Sequence, residues 1–89
     1  MAKLTELINI GPIIAKKLEK IGIKTAEEFL AHDPYQVFEE LLIKVDPTLC
    51  RCALASLVGA QQGLPWHKVT KQSAQHFAAM HPQHRWENC

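Results

Sequence analysis

No apolar run in the 89 residues approaches the roughly 20 that a membrane-spanning helix needs. No stretch alternates apolar and polar residues for the length of a strand, and no hairpin dipeptide occurs, so β structure is not expected. Cysteine is scarce and odd in number, three in all, which fits a reducing compartment better than a disulfide framework. The opening MAKLTELINIG has a lysine but no continuous apolar stretch and no small-residue cleavage site. A secretory leader is therefore not expected, and a cytoplasmic protein is.

The usual signs of catalysis are missing as well. There is no tight nucleophile elbow and no glycine-rich loop of the Walker type. Aspartate occurs only twice, and Asp33 and Asp46 each precede a proline, the arrangement of a helix start. Glu27-Glu28 and Glu39-Glu40 are adjacent pairs on solvated helix faces rather than converging acids. A protein that is not an enzyme and holds no cofactor is expected.

Metal binding is suggested by CRC and HFAAMHPQH but fails on geometry. Cys50 and Cys52 on a helix diverge by about 200°, and His76 and His81 by about 140°. His81 and His84 approach each other only through the irregular segment after Pro82. Four ligands at zinc spacing are not present in this pattern, so no metal is expected and the cysteines read as small core hydrophobes.

What is present is helix punctuation and uneven charge. At 47% hydrophobic and 21% charged, the composition suits one globular domain over residues 1–89. The formal net charge is only +1. Residues 1–24 nevertheless carry +3, residues 25–46 carry −5 and residues 47–89 carry +3. A near-neutral total conceals a dipolar chain, although solvated helix faces also segregate charge in this way.

Short helices are expected over Lys3–Ile8 and from Pro12 to Gly22, with Ile14, Leu18 and Ile21 sharing a face. Thr25 and Glu28 form a capping box for a helix reaching about Ala31. Asp33-Pro34 opens a helix with Phe38, Leu41, Leu42 and Val45 at helical spacing, and Asp46-Pro47 repeats the device. Residues Pro47 to Gln62 are apolar nearly all round and read as the central buried helix, with Arg51, Ala55, Gly59 and Gln62 a thin polar or small stripe. After the turn GLPW, which is expected to swing Trp66 back over that helix as a core anchor, Thr70 caps a last helix. There Ala74, Phe77, Ala78 and His81 share a face. The fold class is all-α: a compact bundle of five or six short helices.

The stretch LINIGPIIAKKLEKIGIKTAEEFL resembles a helix-hairpin-helix motif. In that family backbone amides at a glycine turn grip a DNA phosphate, helped by unpaired amides and by the helix dipole. Carried onto this sequence, the donors are the amides of Gly11, Ile13 and Ile14, with Lys16, Lys17 and Lys20 available for phosphate contacts that carry no sequence information. Asn9 stands where the first glycine of such a turn is usual, and asparagine tolerates the left-handed backbone. Pro12 and Ile13 stand where lysine is frequent, and Ile13 lies off the buried face. Nonspecific DNA binding and a purely structural hairpin that docks a protein partner, through the acidic face of residues 27–40 or the apolar tip at Ile13, are both open on these residues.

In order along the chain, NIG, IGIKT and LASLVGAQQGLPWHKV are similar to the C-terminal domain of the TfoX family of bacterial competence regulators, over about Leu4 to Val69. Gly59-Ala60, Gly63 and Trp66 belong to the more specific half of that resemblance. DPYQVFEELL and CRCAL also resemble the small bacterial pathogenicity-locus or mitomycin-resistance proteins. The resemblance implies a helix-hairpin-helix domain with DNA as partner and a regulatory or DNA-handling role.

Overall fold

The computed structural model describes residues 2–84 and Trp86. Among these, five α-helices carry the fold: α1 (Pro12–Glu19), α2 (Ala26–Leu30), α3 (Pro34–Lys44), α4 (Arg51–Gln62) and α5 (Thr70–Met80). Two single 3-10 turns, Leu4–Glu6 and Trp66–Lys68, complete the secondary structure, and the only strand-like pairing among the described residues is an isolated bridge between Lys3 and Thr25. The all-α expectation holds. Among the described residues no helix is long and apolar enough to cross a membrane.

Most helix boundaries follow local chemistry. Pro12 opens α1, where its missing amide costs nothing. Gly22, at φ 88°, turns the chain after it. The Thr25 hydroxyl accepts the Glu28 amide at 3.1 Å and starts α2. Asp33 accepts the Tyr35 amide at 2.9 Å and starts α3.

Several expectations need correcting. The first helix contracts to the 3-10 turn Leu4–Glu6, because too few residues separate Lys3 from the Asn9 turn to repay helix nucleation. The central helix begins at Arg51 rather than Pro47, with Cys50 ahead of it. Asp46 is thus not a helix cap: one carboxylate oxygen closes a local turn by accepting the Thr48 amide at 2.9 Å, and the other takes the Lys17 ammonium at 2.8 Å. Thr70 does not cap α5 either, since its hydroxyl donates to the Trp66 carbonyl at 2.9 Å. The buried face of α5 runs through Ser73 and Phe77, whereas Ala78 is exposed. Ser73 can be fully buried because its hydroxyl donates to the Val69 carbonyl at 2.7 Å, at the residue just ahead of the helix.

The core lies around α4, which packs against α3, α5 and the Trp66–Lys68 turn. Every residue from Leu54 to Ala60 is buried, including the small stripe at Ala55 and Gly59. Leu18, Phe38, Leu41, Leu54 and Leu57 share one cluster, as the apolar spacing predicts. Phe38 and Phe77 meet edge to face with centroids 5.2 Å apart, an arrangement worth about 0.5–1.5 kcal/mol beyond area burial. Gln61 joins the far end of α4 to α2 by donating to the Phe29 and His32 carbonyls at 2.9 and 2.6 Å.

Trp66 does not take the core-anchor role expected of it. Trp66 is 41% exposed, while Trp86 packs against the core, its ring 5.8 Å from Phe38 and 5.6 Å from Phe77. The turn that carries Trp66 packs against α4, and the Trp66 amide donates to Asn9 Oδ1.

Candidate functional site

The amino end of α1 is built by the residues just before it. Asn9 has φ 71°, the left-handed conformation that its residue type tolerates. Its side chain reaches across the molecule: Nδ2 donates to the Leu64 carbonyl at 2.8 Å and Oδ1 accepts the Trp66 amide at 3.0 Å. One asparagine therefore shapes the turn and ties it to the connector after α4.

Gly59 makes that approach possible. A Cβ there would lie 2.5 Å from the Leu64 carbonyl oxygen and 2.6 Å from Asn9 Nδ2, closer than such atoms come. Gly63, at φ 72°, ends α4 and returns the Leu64 amide to the Gly59 carbonyl at 2.9 Å. The residues quoted above from GAQQGLPW thus form one latch with Asn9. Composition could not reveal it, because the partners are more than fifty residues apart.

Beyond the latch, Gly11 precedes α1 with φ −92° and ψ −180°, an extended conformation open to any residue. A Cβ built on it meets nothing within 4 Å. Neither backbone nor packing requires glycine here. No side chain caps α1, and its first internal bond runs from the Ala15 amide to the Gly11 carbonyl at 3.0 Å. The amides of Gly11, Ile13 and Ile14 are left without partners among the described residues. Aligned peptide dipoles put about half a positive charge at such an end.

The side chains of α1 sort into two faces. Ala15 and Leu18 are buried and Ile14 and Ile21 half-buried, while Ile13 is 73% exposed. Lys16 and Lys20 are exposed and four residues apart, so they stand on one strip with Ile13 a turn ahead. Lys17 points elsewhere. Its ammonium is paired with Asp46, with both side chains about three-quarters buried. That contact and the Thr48 bonds hold the Asp46 carboxyl well below the usual carboxylate range. Lys24 is exposed beyond Gly22, at the opposite end of α1 from Gly11.

A second concave feature lies between α3 and α5, a groove of about 520 Å³ lined by Leu42, Ile43, Phe77, Met80, Glu39 and His81. His81 Nε2 stands 3.4 Å from the Glu39 carboxylate. His81 and His84 both pack against the Phe77 ring. Among the described residues no three histidine, cysteine, aspartate or glutamate side chains converge as metal ligands.

The chain is similar to known proteins. The model of the TfoX C-terminal domain family matches residues 1–80. The mitomycin resistance protein McrB of Streptomyces lavendulae is 31% identical over 71 residues, covering 72% of this chain and 68% of that protein. A crystal structure of an uncharacterized protein from Listeria monocytogenes, in a triclinic form, matches with a TM-score of 0.78 at 30% identity. That alignment covers 94% of this chain and 99% of the other.

Proposed function

The chain belongs to the TfoX C-terminal domain family, and from that premise we propose that it is a non-enzymatic helix-hairpin-helix domain that holds DNA weakly and without regard to sequence. Its setting is cytoplasmic, and its role is regulatory or DNA-handling, in competence or, as the name of the Streptomyces relative suggests, in resistance. The phosphate sits against the amides of Gly11, Ile13 and Ile14, and Lys16 and Lys20 supply the flanking charge.

The observation that carries this reading is the open end of α1. Its amides lack partners, and the residue before it is a glycine that the fold does not need. A glycine there leaves room for a phosphate to approach the backbone, and the helix dipole favours the anion. Ile13 extends the same tip as an apolar contact. Lys17 drops out of the binding set, because its ammonium is committed to Asp46.

The competing reading is a protein-docking module, favoured by the α3–α5 groove with its exposed Ile43 and Met80. Fluorescence anisotropy with labelled duplex DNA at low salt separates the two. Lys16→Glu with Lys20→Glu is expected to abolish binding and leave the melting temperature unchanged, since both side chains are exposed. Unchanged affinity in a folded double variant, or no binding of duplex or single-stranded DNA by the wild-type chain, would favour the docking reading.

A further inference from the structure

We propose that the exposed indole of Trp66, with Lys68 beside it, is a stacking platform for an unpaired nucleobase, so that the site takes single-stranded or locally opened DNA in preference to intact duplex. The inference rests on the reading of α1 as a phosphate-binding end and names the form of nucleic acid it takes. Four observations carry it.

Trp66 is part-exposed although the core accepts tryptophan. Trp86 packs against Phe38 and Phe77, while Trp66 is 41% exposed. Its backbone, by contrast, is held firmly. The Trp66 amide donates to Asn9 Oδ1 at 3.0 Å, and its carbonyl accepts from the Val69 amide at 3.1 Å and the Thr70 hydroxyl at 2.9 Å. A platform fixed before binding loses little freedom when a ligand arrives.

The chemistry around the ring suits a polyanion. From Pro47 to Trp86 the sequence contains no aspartate or glutamate. Lys68 and Lys71 are exposed in that stretch. His67 stands edge-on to the indole, at 89° with centroids 5.9 Å apart, so it does not cover the indole by face-to-face stacking. A flat aromatic followed in the chain by two exposed lysines matches the π-face of a base and the charge of its phosphates, a pairing that tolerates any sequence. Bases inside a duplex are already stacked and do not offer that face.

The latch ties the backbone of this platform to the turn that leads into the phosphate site. Asn9, which holds the Trp66 amide, is two residues before Gly11 in the chain. One strand then has its phosphate taken at α1 and a neighbouring base taken at Trp66.

The test compares a short labelled oligothymidylate with a blunt duplex of equal length, using the full chain at low salt. Trp66→Ala is expected to weaken oligothymidylate binding by at least about fivefold, the value of one stacked base, and to leave duplex binding unchanged. Trp66→Phe is expected to retain most of the single-strand affinity. Indole emission in the wild type is expected to be quenched by oligothymidylate, and Trp66→Ala is expected to remove that response although Trp86 remains. Equal loss on both DNA forms, or no loss on either in a folded variant, overturns the proposal. If Lys16→Glu weakens both forms while Trp66→Ala changes neither, the stacking is wrong and the phosphate reading stands. No binding of either form by the wild type overturns both.

Discussion

Gly11 and Asn9 show how two residues of similar turn-forming character do different work. Asn9 is demanded by the fold: it occupies φ 71° and donates and accepts across to the Leu64–Trp66 connector. Asn9→Ala is expected to destabilise the domain by about 2–3 kcal/mol through two lost hydrogen bonds and a strained left-handed alanine. Asn9→Gly relieves the strain but not the bonds, so urea denaturation is expected to rank it about 1 kcal/mol above the alanine variant. Gly11 is not demanded by the fold, and its replacement separates folding from function. An aspartate at that position caps the free amides from within and repels a phosphate. Gly11→Asp is therefore expected to hold or raise stability by a few tenths of a kcal/mol, while DNA binding measured by anisotropy is lost. Loss of both together would mean that Gly11 serves the fold.

At the scale of elements, much of the helix punctuation was legible because its chemistry is local. Pro12, Gly22, Thr25 with Glu28, Asp33-Pro34 and Gly63 each act within a few residues of themselves. Asp46-Pro47 carries the same dipeptide as Asp33-Pro34, and both aspartates accept the amide two residues on. Only the first leads directly into a helix. The residues after Pro47 include Thr48 and Cys50, weak helix formers, and the second oxygen of Asp46 is drawn to Lys17, twenty-nine residues away. No window of sequence contains both partners. The pair joins α1 to the loop before α4, so its titration couples those elements to pH. The folded carboxyl titrates below its ordinary value of 3.8, chiefly because of the Lys17 hydrogen bond and then those from Thr48. The stabilisation it supplies is complete above that ordinary value and fades as pH falls toward the depressed one. Asp46→Asn is expected to lower stability at neutral pH and to flatten the loss of melting temperature on acidification. A variant whose acid limb matches the wild type would show that another carboxylate governs it.

For the molecule as a whole, the all-α class and the shared core of Leu18, Phe38, Leu41, Leu54 and Leu57 follow from apolar spacing, whereas the surroundings of the candidate site depend on contacts between distant segments. Nothing local indicates which tryptophan turns inward, and turn chemistry alone points Trp66 the wrong way. The division of Lys16, Lys17 and Lys20 into free and engaged amines likewise depends on where Asp46 lands. Those assignments leave a small site: one helix end and two exposed lysines on a chain of net charge +1. Such a site neutralises few phosphates, so its affinity is expected to be no better than micromolar. The most direct measurement is the affinity for duplex DNA across a range of salt concentrations. The expected slope of log affinity against log salt is about −2 to −4, from roughly 0.9 per phosphate contacted. A slope near zero, or no detectable binding at the lowest salt, would contradict it.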